Sequence, residues 1–451
     1  MRSDSVSRRR VVASAFIGTM IEWYDFFLYG TAAALVFNKL FFPTLHPLSG
    51  TLAAFGTYAA GFAARPLGGV VFGHYGDRLG RKSILVLTLL LMGLATCLIG
   101  LLPTYQQIGL TAPALLVFLR LVQGFALGGE WGGAVLMSVE HSSAGRRGFN
   151  ASWAQAGSPA GLLLGTGVFA LFARLPTEEF LSWGWRVPFL LGLLLTSIGL
   201  FIRTRTEESP IFRAVLESQT QANQPILEVL KHPKNVLLII GARAAENASF
   251  YVFTVFLLTY VTGQLELPRQ IALNSVLLAA AFEFVTIPLF GALSDRFGRR
   301  PIYMGGALFL VLFSVPFFLL VNTKIPALIN MAVVTAMAIG HASMYAPQAA
   351  YFAESFKTRV RFSGASLGYQ LSAPLAGGLA PAICVLLLKL GEGHFGWICV
   401  YLMVLGTISF VCVRETAETY RTDLEESPMS SEIDPTVRTN PPLIYESKNH
   451  C

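Results

Sequence analysis

The sequence predicts an all-α membrane protein with twelve transmembrane helices in two pseudo-symmetric six-helix bundles. Three observations carry this. Hydrophobic residues make up 54% of the 451-residue chain and charged residues only 13%, whereas a soluble domain is about a quarter charged; the mean hydropathy is +0.58. The apolar residues fall into twelve runs, each near the roughly 20 residues needed to cross a hydrocarbon core of about 30 Å. A charged segment between the second and third runs returns, little changed, between the eighth and ninth.

The runs lie near 11–38, 50–73, 83–103, 112–139, 148–173, 185–202, 235–262, 270–293, 301–321, 326–352, 362–388 and 396–413. Arg8, Arg9 and Arg10 before the first run superficially suggest a signal peptide. That run is too long and carries Glu22 and Asp25, so it is retained as the first helix. The hydrophilic segment 203–234 divides an N-terminal bundle (1–202) from a C-terminal bundle (235–413). Within it, Ser209 before Pro210 predicts a short capped helix on the membrane surface. The tail, 414–451, is polar, lacks heptads and carries Pro428, Pro435, Pro441 and Pro442, a composition that predicts disorder.

The net charge of +7 is not a nucleic-acid footprint, because the bases sit in short loops and form no stripe with interleaved aromatics. One side of the membrane collects Arg8 to Arg10, Arg78, Arg81, Lys82, Arg146, Arg147, Arg203, Arg205, Lys231, Lys234, Arg296, Arg299, Arg300, Lys357, Arg359 and Arg361. The other has Lys39, Arg174, Arg269, Lys324 and Lys389. The positive-inside rule then puts both termini in the cytoplasm of a multi-pass protein. The five cysteines are scattered without metal or disulfide spacing. No metal cluster, nucleotide loop or nucleophile–base constellation marks an enzyme, and no obligate protein partner or cofactor is evident.

The repeated segment reads GHYGDRLGRK at Gly73–Lys82 and GALSDRFGRR at Gly291–Arg300. Its glycines allow a tight reversal, and its Asp residues can face helix N-termini. The repeat extends further. Glu140 precedes Arg147 by seven residues and Ala151-Ser152 by eleven; Glu354 stands in the same relation to Arg361 and Ala365-Ser366. Two parallel repeats fit an axis along the membrane normal.

Ionisable residues inside apolar runs are costly, so each is a functional candidate. Glu22 and Asp25 share a face of the first helix. Asp25 lies about 20 Å from its cytoplasmic end, and Arg120 on the antiparallel fourth span reaches a comparable depth. An Asp25–Arg120 pair is therefore available, either as a static ion pair or as a coupling device. In the second case, substrate arriving at the Arg releases the Asp to take a proton; Glu22 or Glu130 would be next in line. Gln123, Glu130 and Trp131 lie on a glycine-rich seam and would face a central cavity. Arg65 is placed to pair with Glu130. Arg243, Glu246, Asn247 and Tyr251 project from the seventh span, with Arg243 and Glu246 on one face. Glu283, His341, Tyr369 and Gln370 are lesser candidates, His341 being more often a packed histidine than a proton carrier.

Together the paired charged loops resemble the signature of the major facilitator superfamily of secondary transporters. EWYDFFLYG, ARPLGG, RLVQGFALGGEWGGA, SWGWRVPF and EESPIF resemble its metabolite:proton symporter family, which includes shikimate, citrate, 2-oxoglutarate and proline or betaine carriers. The resemblance covers the chain to about residue 413. It implies the major facilitator fold and proton-coupled import of a small organic metabolite across the bacterial inner membrane by alternating access, powered by the proton gradient. It implies proton coupling at Asp25, Glu22 and Arg120. Arg65, Arg120, Gln123, Glu130, Trp131, Arg243, Glu246, Asn247 and Tyr251 would bind substrate. It also implies a cytoplasmic gate of Gly73, Asp77, Arg78, Gly80, Arg81 and Glu140 with Asp295, Arg299 and Glu354. Three membrane-embedded arginines favour a carboxylate. The alternatives are a zwitterionic or quaternary-ammonium osmolyte, held by Trp23, Tyr24 and Trp131, or a non-transporting sensor on the same scaffold.

Overall fold

The computed structural model describes residues 2–217, 222–231, 233–422 and 424, and among these it is helical with no strand. Twelve long helices account for the predicted spans: α1 (Arg2–Ala32), α2 (Pro47–Leu79), α3 (Arg81–Leu101), α4 (Thr111–Glu140), α5 (Arg147–Phe172), α6 (Arg186–Thr204), α7 (Pro233–Tyr251), α8 (Arg269–Phe297), α9 (Arg299–Asn322), α10 (Pro326–Thr335), α11 (Arg361–Ser372) and α12 (Gly396–Glu415). Four of them run on through π-turns. α1 continues through Ala33–Phe37, and α7 through Val252–Phe256 and Tyr260–Gln264. α10 continues through Ala336–His341 into Ala342–Glu354, and α11 through Ala373–Gly378 into Ala380–Leu390. By length and composition, 11 spans among the described residues suffice to cross a membrane; α2, the other, has 33 residues and a middle rich in glycine and alanine.

Leucines on the outer faces, such as Leu94, Leu194, Leu312 and Leu386, are exposed. This is the pattern of helices solvated by lipid tails. With no hydrophobic force pulling such helices together, close packing and hydrogen bonds must do so. Glycines meet that need where α2 crosses α4: a Cβ on Gly124 would run into the backbone of Gly61, and one on Gly128 into the backbone of Arg65. Within the N-terminal half α1 packs on α5, α2 on α4, and α3 on α6. The C-terminal half repeats this as α7 on α11, α8 on α10, and α9 on α12. The halves meet along two symmetry-related seams, α5 with α8 and α2 with α11.

At each signature loop one residue reverses the chain. Gly80 between α2 and α3 has φ 107°, and Gly298 between α8 and α9 has φ 104°, a region in which a side chain is strained. The predicted linker helix is present as Pro210–Glu217, with Ser209 Oγ accepting from the Phe212 N–H at 3.2 Å. A second short helix, Pro225–Leu230, was not predicted. The tail departs from expectation. Residues just beyond α12 pack against the bundle, with Leu424 only 1% exposed, because their carboxylates and carbonyls satisfy helix ends and arginines. Residues 425–451, where disorder was expected, lie outside the described residues.

Candidate functional site

Asp25 is fully buried, adjoining Thr96 of α3 within the field of Arg120; neither of its oxygens has a hydrogen bond of normal geometry. The expected direct Asp25–Arg120 pair is not formed. Two neutral side chains stand between them: Arg120 Nη1 donates to Gln123 Oε1 at 3.0 Å, and Gln123 Nε2 donates to Thr96 Oγ1 at 2.7 Å. Thr96 Oγ1, which accepts from Gln123, keeps its own hydrogen to donate, and Asp25 lies beside it. The Arg120 guanidinium is instead enclosed by the rings of Tyr29, Tyr58 and Phe26, at 4.4, 4.8 and 5.1 Å, an electrostatically favourable setting for a cation.

The expected Arg65–Glu130 pair is also absent. Glu130 faces into the N-terminal bundle, where it pairs closely with Arg203 of α6 and accepts from the Thr88 hydroxyl at 2.8 Å. Arg203 was assigned to the linker by sequence, yet it is 2% exposed. Glu130 is thereby committed to holding α3, α4 and α6 together. Arg65 is left over. It is 4% exposed, its Nη2 has no hydrogen-bond partner, and it forms no ion pair among the described residues. Its guanidinium lies against the rings of Phe62 and Phe26 at 4.6 and 4.9 Å. Glu22 lies within its electrostatic reach, with Oε2 likewise unpartnered.

In the other half, Arg243 and Glu246 form the expected same-face pair at 3.4 Å. Arg243 also donates to the Tyr369 carbonyl at 2.8 Å and to Ser372 Oγ at 2.7 Å, and it lies 3.4 Å from the Tyr369 ring centre. Asn247 Nδ2 donates to the Ser372 carbonyl at 3.1 Å. Tyr251 is buried against Phe62 of α2 at 5.6 Å. The lesser candidates prove more connected than expected: His341 touches both Glu283 and Glu246.

The centre is packed rather than open. Trp131 does not face a cavity; it stacks on Tyr369 of the opposite half at 3.6 Å, and its Nε1 donates to Gln155 Oε1 at 2.8 Å. Gln155 Nε2 crosses to the Tyr345 carbonyl at 3.0 Å, and Gln370 Nε2 crosses back to the carbonyls of Leu127 and Gly128 at 3.2 Å. Trp23 of α1 meets Phe250 of α7 at 5.9 Å. The two halves therefore close around the residues of both.

On the side of the Gly80 and Gly298 reversals, ionic contacts join the two halves and involve most of the residues expected of a cytoplasmic gate. The Asp77 carboxylate accepts from the Phe362 and Ser363 N–H groups at 3.1 and 2.8 Å, capping α11 of the other half. Asp295 does the same for α5, accepting from Gly148 and Phe149 at 2.8 Å each. Glu140 joins Arg81 at 3.4 Å to Arg361 of the other half at 3.2 Å, and Glu354 joins Arg299 at 3.0 Å to Arg147 at 3.8 Å. Gly73 lets α2 approach Ser363 closely. Arg78 is a correction: it is exposed at the end of α2 and forms no ion pair among the described residues, because the helix turns it away from the cluster. Arg147, Arg361, Glu208 and Glu418 were not singled out for the gate. The seven-residue spacing from Glu140 and from Glu354 signalled the two arginines. Nothing comparable marked Glu208, which accepts from the Lys82 N–H at 3.1 Å, or Glu418, which accepts from the Arg299 and Arg300 N–H groups at 2.9 and 3.0 Å.

Comparison with known proteins agrees with this architecture. The family model of the Major Facilitator Superfamily matches residues 15–381 and 270–432. The chain is similar to the shikimate transporter of Escherichia coli (strain K12), 45% identical over 404 residues that cover 88% of this chain and 92% of the relative. It is also similar to the inner membrane metabolite transport protein YhjE of the same strain, at 38% over 421 residues, 92% of this chain and 95% of the relative. Among solved structures, the proton:xylose symporter XylE bound to 6-bromo-6-deoxy-D-glucose superposes with a TM-score of 0.76 over 94% of this chain and 98% of that one, at 17% identity. With twelve helices in two related bundles closed around a polar centre, the chain belongs to the major facilitator superfamily and is a solute transporter.

Proposed function

We propose that this transporter imports a small hydroxylated carboxylate of the shikimate class, coupled to protons moving down their gradient through the bacterial inner membrane. The observation that carries this is Arg65, a buried guanidinium that forms no ion pair among the described residues, walled by Phe62 and Phe26. A buried cation left without an anion is costly, and a substrate carboxylate supplies the missing charge with bidentate geometry. The neighbouring Tyr58 and Tyr251 share the field of Arg65 and Arg120 and present hydroxyls to a polyol.

Proton coupling is assigned to Asp25, with Glu22 beside it. A proton on Asp25 removes a charge that lies beside the neutral Thr96 and within the field of the more distant Arg120. Through Thr96 and Gln123 that change reaches the guanidinium beside the substrate. No bound cofactor takes part. The basic side is assigned to the cytoplasm, so the ionic gate is the inner one and breaks as the halves, 1–202 and 235–413, rock open inward. The similarity to a shikimate transporter and to the fold of a proton symporter supports this reading.

The test is uptake of radiolabelled shikimate, citrate and 2-oxoglutarate into proteoliposomes, with and without an inward proton gradient. Shikimate accumulation that requires the gradient is expected, and Asp25→Asn should abolish accumulation while leaving exchange. Uptake indifferent to the gradient removes the coupling claim. Competition by betaine would instead favour an osmolyte carrier.

A further inference from the structure

The C-terminal half contains a chain of titratable groups, Glu246, His341 and Glu283, that the substrate site proposed at Arg65 does not use. His341, at the end of the π-turn in α10, sits between two acids from two other helices. Its Nε2 is 3.1 Å from Glu246 Oε1 of α7, and its Nδ1 lies in very close contact with Glu283 Oε1 of α8. The three residues are 2%, 3% and 2% exposed for His341, Glu246 and Glu283. We propose that Glu246, His341 and Glu283 form a second proton-carrying site, whose proton count controls how α7 and α8 hold α10. This rests on the proton-coupled reading above.

The hydrogen count follows from the contacts. An ionised carboxylate only accepts hydrogen bonds, and a neutral imidazole donates from one nitrogen and accepts at the other. For both nitrogens to face carboxyl oxygens, the trio must hold two protons. Either an imidazolium lies between two carboxylates, or a neutral imidazole lies between one carboxylate and one carboxylic acid. Both arrangements carry a net charge of about −1. Arg243, 3.4 Å from Glu246 Oε2, brings the cluster to neutrality, which suits a water-poor site.

The remaining neighbours named among the described residues are uncharged near neutral pH, the tyrosines keeping their hydroxyl protons there. From α10, Tyr345 stacks on the imidazole at 5.0 Å, and Gln348 Nε2 donates to Glu246 Oε2 at 3.1 Å and to the Tyr303 hydroxyl at 3.0 Å. From α7, Phe250 covers the ring at 5.3 Å. From α9, the Tyr303 hydroxyl donates to the Ala242 carbonyl at 3.0 Å. Arg243 is anchored to α11 through Tyr369 and Ser372.

Loss of one proton to water leaves the trio one charge more negative. One nitrogen then faces a carboxylate lone pair to lone pair, and one of the two contacts must open. The contact that opens frees α10 from either α7 or α8, at the π-turn where its hydrogen-bond ladder is already irregular. The closed arrangement is therefore the protonated one. A proton taken up on one side is held while the halves are closed, and it leaves as they part.

The experiment counts charge. Shikimate is a monoanion near neutral pH. With one proton on Asp25 and one on the trio, each shikimate enters with two protons and transport carries one net positive charge. In proteoliposomes of the full chain, an inside-negative potassium diffusion potential should then accelerate uptake. His341→Gln and Glu283→Gln should each lower the count to one proton per shikimate, read from dye-detected alkalinisation against radiolabel, and abolish the response to voltage. A wild-type count of one overturns the second site whatever the variants do, as does an unchanged count in either folded variant. Gradient-independent uptake by the wild type would instead overturn the proton-coupled reading itself.

Discussion

The proposed substrate site turns on which of the buried arginines at the centre is free to take an anion. Three arginines reach it, and two are occupied: Arg243 by Glu246 and Tyr369, and Arg120 by Gln123 and three rings. Arg65 forms no ion pair among the described residues and leaves its Nη2 without a hydrogen bond, so substitution there should act on substrate and spare the fold. A charge-assisted hydrogen bond contributes about 1.5–3 kcal/mol. Arg65→Gln should therefore raise the KM for shikimate by roughly 10- to 150-fold, with melting temperature near that of the wild type. A variant with unchanged KM would show that Arg65 is a packing residue. Arg65, Asp25 and Arg120 are legible in the sequence because a charge inside an apolar run advertises its own cost. Thr96, which links Gln123 to the surroundings of Asp25, and Gln155 and Ser372, which bind Trp131 and Arg243, are not, because neutral polar residues sit in membrane helices at little cost. Glu130 was misassigned for a related reason. Its partner Arg203 lies at the edge of an apolar run, where a base reads as a headgroup anchor.

At the scale of helices, each signature-loop Asp serves the opposite half. Asp77 spans from α2 to the first turn of α11, and Asp295 from α8 to the first turn of α5. A carboxylate that accepts two amide hydrogens at a helix start, with the macrodipole in its favour, stabilises that junction by about 1–2 kcal/mol. Asp77→Ala should accordingly increase the open population on the side of the Gly80 and Gly298 reversals by roughly 5- to 30-fold. In a cysteine-free background, Ser363→Cys, buried at this junction, should then react faster with a membrane-impermeant maleimide by that factor. An unchanged rate would mean that closure depends on the arginine–glutamate pairs alone. Most helix boundaries were within reach of sequence reasoning, since hydrophobic length fixes them to a few residues; where α1 and α2 run on into charged sequence, to Arg2 and to Leu79, it did not. The π-turns in α1, α7, α10 and α11 were not, because an extra residue in a turn is selected by how neighbours pack and leaves no trace in hydropathy.

Across the whole molecule, the two halves are built on one plan down to the segment that follows each sixth helix. After α6, Glu208 caps the start of α3; after α12, Glu418 caps the start of α9. Thr419 adds its hydroxyl to the gate acid Glu354 at 2.7 Å. The second copy then reaches two arginines of the seam through its backbone carbonyls. The Thr422 carbonyl accepts from Arg147 of the N-terminal half at 2.7 Å, and the Leu424 carbonyl accepts from Arg361 of the C-terminal half at 2.7 Å. These are the arginines that reach across the seam to Glu354 and Glu140, so the segment carrying Thr422 and Leu424 ties itself to both halves. Composition alone made this stretch read as disordered, because a proline-bearing polar tail has no core to join; its order comes from backbone carbonyls and one glutamate finding arginines and helix ends. Ending the chain after Glu415 should therefore weaken closure while leaving the transmembrane helices intact. Spin labels at Arg146→Cys and Lys357→Cys, both on exposed positions, should report one short distance in the full chain and an added longer one in the truncated protein. Identical distance distributions would show that the ionic gate closes without the strap.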